Sequence, residues 1–373
     1  MAFNFPDAPT AGQIFTDAPS GAQYVYTNGV WMQSSAAQIR LTAQARNRVC
    51  NPAMQISQEI GLDTTSNVTN TYIADQWVFY FVTAGVPVCA IRKETPPTDS
   101  NVPSWFFRLS SGATPDTSIA AGDFVAVRQP IEGTRIADFC WGTAQAKPAM
   151  LRFMARSTVA GTFCVALRNS PATHSFVKNC TIAANVWTQF VIPVPACTLG
   201  TWLIDNTLSA QLSFAAMAGS TFTGGVDNTW TAGSFIATPQ ISNWMSAASQ
   251  LFEFTNVGLY LDDQATGAAP PWVMPDEAQE LQACRRYYAA YATQYLVGGW
   301  SVGAGTPAYG NFSYQVQMRA NPAVALGSTS LSGASSHVVA AIAGDSMRTT
   351  ATSSNSAAAF YGSANLITCN SRM

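Results

Sequence analysis

Catalysis by side chains needs an acid, a base or a nucleophile held beside a partner, and this sequence offers few such groups. Its 373 residues include only two histidines, His174 and His337, so a two-histidine metal site is nearly excluded. The HExxH pattern, a glycine-rich phosphate loop and GxSxG are all missing. Eight cysteines occur at 50, 89, 140, 164, 180, 197, 284 and 369, none in a CxxC pair, so zinc-type spacing is missing as well. Cleavage of a glycosidic bond would need two carboxylates across the bond. Asp123, Glu132, Asp138, Asp205, Asp227 and Glu253 are the candidates, but none stands in a recognisable acidic motif, and Asp262-Asp263 reads as a strand end. The expectation is a protein without catalytic residues, metal or cofactor.

Binding chemistry is better represented. Sugars stack on exposed aromatic rings while amides and carboxylates fix their hydroxyls. The turn-rich run Gly224-Gly225-Val226-Asp227-Asn228-Thr229-Trp230 puts an acid, an amide and an indole close together. Asp227, Asn228 and Trp230 are therefore the candidate carbohydrate-binding set, with Trp187, Trp202 and Trp244 as further aromatic candidates. The competing reading is that these rings belong to a core or a subunit interface. The cysteines also have two readings: buried free thiols, or disulfides formed in an oxidising medium. Cys164 and Cys180 are the candidate intrachain pair, because they flank the turn-like run Asn169-Ser170-Pro171-Ala172-Thr173. Cys284, together with Cys369 or Tyr288, is the candidate contact between subunits.

Composition narrows the setting. Only 10% of residues are charged, against about 25% in ordinary soluble domains. Hydrophobic residues make up 48%, with 10 Trp, 12 Tyr and 20 Phe. Such a chain wets its surface with hydroxyls and amides, or buries that surface against copies of itself. The net charge is −2 and no Lys/Arg run exists, so no nucleic acid is expected as a partner. Met1 to Pro9 shows no secretory signal. No stretch approaches 18 apolar residues, so no membrane insertion is expected.

The elements that must position these residues are mostly strands. Residues 1–40 form an N-terminal segment in which Asn28-Gly29, flanked by Tyr24, Tyr26 and Trp31, marks a hairpin. Fewer than about 40 residues make no independent core, so this segment is expected to attach to something else. Residues 41–274 show period-2 alternation, as in Leu208, Ala210, Leu212 and Phe214. Phe252, Phe254, Val257, Leu259 and Leu261 read as one strand with a bulge. Many such strands predict an antiparallel jelly-roll β-sandwich. One linking helix is assigned to 275–297, capped by Asp276 with Gln279 and carrying Ala278, Leu281, Cys284, Arg285 and Tyr288 at helical spacing. It lies on the sandwich or meets its copies on a threefold axis. Residues 298–373 return to β as a smaller C-terminal domain, with Phe312, Tyr314, Val316 and Met318 alternating.

Four stretches resemble tail-fibre and receptor-binding proteins of tailed bacteriophages. They are Phe5–Phe15 continuing to Gly29-Val30-Trp31, Asn51–Gln58 with Tyr72–Trp77, Trp141–Pro148 with Gly161–Ser170, and Glu280–Tyr288 with Met318–Val324. The resemblance implies a jelly-roll fibre domain, a homotrimer, attachment of residues 1–40 to other virion proteins, and recognition of a bacterial surface glycan. The protein would then be a virion component, a tail or collar fibre assembled in the bacterial cytoplasm and released by lysis. Two alternatives remain at this level: a purely structural neck, collar or decoration protein without a receptor site, and a glycan-depolymerising tailspike.

Overall fold

Alternating apolar and polar residues between glycine- and asparagine-rich turns fold as antiparallel strands over most of the described residues. A computed structural model describes residues 5–6, 8–10, 13–16, 23–27, 30–33, 46–93, 105–291, 295–354, 358–364 and 366–373. Strands β1 (Ile14–Thr16), β2 (Gln23–Thr27) and β3 (Val30–Gln33) form a three-stranded sheet. Thr27 pairs with Val30, so the expected hairpin is present; Asn28 and Gly29 lie outside the described residues. Phe5 stacks on Trp31 and meets Phe15 edge-on, which gives this sheet an aromatic face of its own.

The sandwich is built from β4 (Thr65–Ser66), β5 (Thr71–Ala74), β6 (Trp77–Val82), β7 (Val88–Lys93), β8 (Trp105–Ser110), β9 (Phe124–Glu132), β10 (Ala149–Ser157), β11 (Gly161–Asn169), β12 (His174–Ile182), β13 (Thr188–Val194), β14 (Leu208–Ala218), β15 (Thr229–Ala232) and β16 (Leu251–Leu261). A six-stranded sheet has the order β13-β10-β16-β8-β7-β4, and a seven-stranded sheet the order β15-β12-β11-β14-β9-β6-β5. The chain crosses repeatedly between the two, as a jelly roll does.

Their facing sides hold the core. Phe214 of one sheet stacks on Phe254 of the other at 4.2 Å, Phe107 stacks on the far side of that pair, and Trp77 meets Phe254 edge-on. The phase break in β16 is a bulge: Gly258 pairs with Arg152 and Thr255 with Met154, so Asn256 and Val257 share one opposing residue, Phe153. Asn256 takes φ +53° there. The bulge lets Phe252, Phe254, Val257 and Leu259 all reach the core.

The helix is shorter than 275–297. It spans Glu277–Arg285, and Asp276 caps it by accepting from the Gln279 N–H at 3.0 Å. It ends because the next residues pair with distant ones: β17 (Tyr288–Tyr291) runs antiparallel to the C-terminal strand Ile367–Asn370. The remaining strands are β18 (Tyr295–Trp300), β19 (Pro307–Ser313), β20 (Ala323–Leu326), β21 (Thr329–Ser332), β22 (Ala334–Ala343), β23 (Ser346–Ser353), β24 (Ala359–Ala364) and β25 (Ile367–Asn370). They make three small sheets, β17-β25-β20, β18-β24-β21 and β19-β23-β22. The alternation at 312–318 is not one strand. β19 stops at Ser313, and Tyr314 and Met318 instead fill the core of this unit while their N–H groups donate to Asp345 and Gly344 carbonyls.

Polar contacts fasten this unit to the sandwich. Glu132, at the end of β9, is fully buried and accepts from Arg286 Nε (2.9 Å), Arg286 Nη2 (2.5 Å) and Tyr287 Oη (2.9 Å). The Arg372 guanidinium lies 3.9 Å from the ring centres of both Tyr72 and Tyr288 and pairs with Glu59. The expectation that Cys284 and Tyr288 face a neighbouring subunit is therefore corrected. Both are buried inside the protomer, Cys284 with its sulfur 3.7 Å from that of Cys50. Cys369 is equally buried.

Burial pushes the Glu132 carboxyl up, but hydrogen bonds from Arg286, Thr134 and Tyr287 outweigh it and hold the pKa below the ordinary glutamate value. Its contribution is thus complete above the unfolded pKa of about 4.3 and is lost as pH falls through the lower folded pKa. Glu132→Gln is expected to destabilise the protein by about 3 kcal/mol at neutral pH, the low end for breaking a buried pair, because Arg286 remains 32% exposed. Urea unfolding at neutral and acid pH checks this, with the gap between variant and wild type closing in acid.

Candidate functional site

The two faces of the seven-stranded sheet carry different chemistry because neighbouring residues of a strand point to opposite sides. Phe79, Val127, Leu212, Leu167 and Phe176 face the core. The alternate positions face outward: Val78 and Tyr80 on β6, Ala126 and Arg128 on β9, Ser213 and Ala215 on β14, Cys164, Ala166 and Arg168 on β11, and Val177 and Asn179 on β12. The strand register brings them into rows, with Val78 opposite Arg128, Arg128 opposite Ser213, and Ser213 opposite Ala166. The segment 219–241 folds back over the apolar part of this face. Phe222, Phe235, Ile236 and Ala237 pack there on Ala126, Ala215, Cys164 and Val177. Phe235 sits between Gly224 and Gly233, where a Cβ at either position would come within 2.4 Å of its ring.

That fold-back leaves an open cleft of about 570 Å³ at its edge, lined by Asn179, Thr223–Asp227, Pro239 and Gln240. The Asp227 carboxylate accepts from Asn179 N–H at 2.7 Å and pairs with Lys178 Nζ at 2.9 Å. Partial burial pushes its pKa up, but these two partners outweigh it and hold the carboxyl below the ordinary aspartate value. Asn179 Oδ1 accepts from Thr238 Oγ1 at 2.7 Å and from the Cys164 thiol. Asn228 turns the chain at φ +60°. The cleft is thus lined by amide, hydroxyl and carboxylate groups, with the Lys178 ammonium held on Asp227.

Of the three residues singled out in the sequence, Asp227 and Asn228 lie together and Trp230 does not join them. Trp230 pairs with Phe176 and points inward with it. Its Nε1 donates to Pro195 O at 2.8 Å, and its ring packs edge-on against Trp141 and Trp202. Trp202 and Trp244 are buried, and Trp187 lies under the Arg156 guanidinium. The alternation of β15 carried the orientation of Trp230, but four residues beside a turn hold too few alternations to fix its phase. Sequence reasoning also missed Arg128, Arg168 and Ser213. Their one signal is a polar residue at the outward position of an otherwise apolar strand.

The carboxylates a hydrolase would need are tied to structural donors. Glu253 lies between Arg108 (2.6 Å) and Arg156 (2.5 Å), Glu132 holds Arg286, and Asp138 holds Arg48. Asp205 accepts from Thr207, and Asp123 from the Ala120 N–H. Among the described residues neither histidine touches a carboxylate; His174 meets Thr173, and both ring nitrogens of His337 are buried without a hydrogen bond.

No family model matches the chain, and no curated protein matches its sequence. Among solved structures, the chain is similar to an arabinose-bound α-L-arabinofuranosidase (11% identity over 59% of this chain and 27% of that one, TM-score 0.33). It is also similar to the enzymatically active domain of bacteriophage CBA120 tailspike protein 4 (12%, 58% and 21%, TM-score 0.31). A third is the carbohydrate-binding module TmCBM61 in complex with β-1,4-galactotriose (8%, 58% and 99%, TM-score 0.30). The matched part spans about a quarter of the first two proteins.

The cysteine expectations are corrected by strand register. In the β11–β12 hairpin Cys180 pairs with Phe163, and Cys164 with Asn179. The two thiols are therefore one position out of register and face opposite sides of the sheet, Cys180 into the core and Cys164 outward, so they cannot bond without a shift of register. All eight cysteines are free. Cys50, Cys284 and Glu280 lie close enough to share an ion. Arg135 supplies positive charge there already, being held up by Cys50, Tyr287 and Glu280 against its own burial, and Glu280 accepts from the Asn51 N–H at 2.6 Å. Only Cys140 is not fully buried. A thiol-specific maleimide is expected to modify Cys140 alone in the native protein and all eight after unfolding, as read by intact mass.

Proposed function

We propose that this chain is a non-enzymatic, self-associating fibre protein of a phage-like virion that attaches to bacterial surface glycan. The outer face of the seven-stranded sheet is the glycan-facing surface. The observation that carries this reading is the open cleft beside Asp227, where Asn179, Gln240 and an acceptor carboxylate line a concavity with no acid–base pair next to it. Trp230 fixes the start of β15, its Nε1 donating to the Pro195 carbonyl. In this reading Glu132 and Glu253, each already occupied by arginine, do not act as a hydrolytic pair.

Self-association is supported by the C-terminal unit. It leaves Leu296, Trp300, Val302, Tyr309, Val338 and Ile342 more than half exposed, and its own small cores hold few residues. Apolar side chains in that number on a small unit want a partner surface, and a homotrimer of low-charge chains supplies one. The N-terminal three-stranded sheet serves as the mount on other virion proteins. A purely structural collar or decoration protein would share the apolar surface but would have no use for the cleft.

Two measurements test the reading. The purified chain is expected to adsorb to bacterial surface polysaccharide without releasing reducing ends. Asp227→Ala is expected to weaken adsorption about tenfold, the loss of one charge-assisted hydrogen bond. No adsorption to any such polysaccharide would leave the structural reading, and release of reducing ends would make the chain a depolymerase. Light scattering is expected to give about three times the 39.6 kDa of the chain. Replacing Leu296 and Trp300, which share one face of β18, by serine is expected to lower that mass to the monomer.

A further inference from the structure

Six arginines pair with carboxylates among the described residues, and two of those that do not lie together on one face of the seven-stranded sheet. Arg48, Arg92, Arg108, Arg156, Arg286 and Arg372 each pair with a carboxylate. Among the described residues Arg128 and Arg168 pair with none, and both lie on the outer face of the seven-stranded sheet. Arg168 is only 8% exposed. Its Nη1 donates to Ser234 Oγ at 2.8 Å and its Nη2 to Gln211 Oε1 at 2.7 Å, both neutral acceptors, and its Nε has no partner. The Arg128 guanidinium lies 4.5 Å above the Tyr80 ring centre.

Polar atoms beside them are also unsatisfied. Ser213 sits opposite Arg128 on the neighbouring strand and is fully buried, and its Oγ makes no hydrogen bond. Tyr80 is 8% exposed and its Oη likewise has no partner. Arg168 pairs across β11 and β14 with Gln211, two residues along from Ser213. One patch therefore holds two guanidinium groups and two hydroxyls with hydrogen-bonding capacity unused. Burial is the main influence lowering the Arg168 pKa, and Arg128 lowers it further. A buried cation without a counter-charge is unfavourable, and a buried polar atom without a partner typically costs about 1–3 kcal/mol. An oxyanion would satisfy both, since guanidinium groups and hydroxyls donate to it in the geometry carboxylate and phosphate prefer.

We propose that Arg128, Arg168, Ser213 and Tyr80 form a subsite for the acidic group of a saccharide, a uronate carboxylate or a phosphate ester, on the same sheet face as the Asp227 cleft. This rests on the glycan-attachment reading and narrows it to acidic glycans. The cleft would take hydroxyl-bearing units, since amide and carboxylate groups line it, and the arginine pair would take the charged unit. Phase and spacing follow from the sheet: Asp227 bridges to Val177, whose row runs through Ala166 and Ser213 to Arg128.

Thermal unfolding of the full chain at matched ionic strength tests the subsite with glucuronate, glucose 6-phosphate and glucose as probes. Glucuronate, glucose 6-phosphate or both are expected to raise Tm by about 2–4 °C, the shift that a kilocalorie-scale linkage gives a protein of this size, while glucose leaves it unchanged. Which of the two acids acts distinguishes carboxylate from phosphate recognition. Arg128→Gln, at a half-exposed position, and Ser213→Ala are expected to fold and to lose the response; Arg168→Gln is expected to lose it as well. An equal response to glucose, no response to either acid, or a full response in Arg128→Gln overturns the subsite. A change of oligomeric mass in Arg128→Gln without any wild-type sugar response also overturns it, because the arginines would then serve a carboxylate of a neighbouring copy. If the subsite fails while wild-type protein still adsorbs to neutral polysaccharide, glycan attachment survives. Absence of adsorption to every polysaccharide removes the attachment reading itself.

Discussion

A buried carboxylate, Glu132, is the point through which the parts of this protein are held to one another. It ends β9, the strand beside β14 in the middle of the seven-stranded sheet, and receives both Arg286 and Tyr287 from the chain that follows the helix. The same region fixes the segment that precedes the sandwich. Gln129 brackets Cys50, accepting from its N–H at 2.8 Å and donating to its carbonyl at 2.7 Å, and Arg135 donates to the Arg48 carbonyl. Trp77 adds a bond from Nε1 to the Asn51 carbonyl. Buried ion pairs often stabilise no more than apolar packing would, yet an arrangement that separates the partners leaves a buried charge uncompensated. Here the paired arrangement decides where the C-terminal unit sits.

With its inner face committed to stacked phenylalanines, the sheet that contains β9 has only its outer face to offer. Strand register then dictates what appears there. Small residues such as Ala126, Ala166 and Ala215 let the fold-back segment lie close, and the polar residues in the same rows are left at its margin. Groups held on paired strands are positioned more tightly than groups on loops. Arg128, Ser213 and Arg168 are of that kind, whereas Asp227 depends on Asn179 and Lys178 to hold its turn.

Much of this was legible in the sequence wherever the signal was local. The alternation of β14 and β16, the bulge at Asn256, the Tyr24–Trp31 hairpin and the Asp276 cap all follow from residues within a few positions of each other. What was not legible depends on distant partners. The helix stops at Arg285 because Tyr288–Tyr291 finds Ile367–Asn370, and nothing near Tyr288 announces that strand. The Cys164–Cys180 pairing rested on the midpoint of a turn, and an error of one residue there moves a side chain to the other face of the sheet. Trp230 stands near Asp227 along the chain but points to the inner side of the sheet, for the same reason of phase. The arginine pair could not be read as a pair, since Arg128 and Arg168 come together only through the order β9-β14-β11.

The proposed attachment sets the outer face of the seven-stranded sheet against glycan. Hydrogen exchange of the full chain, with and without a bacterial polysaccharide to which it adsorbs, reads that surface directly. Slowed exchange in 164–168, 211–215 and 222–240, with the C-terminal unit unchanged, is the result this structure predicts. Slowing confined to residues 295–373, or to the N-terminal sheet, would contradict it and move the attachment surface away from the seven-stranded sheet.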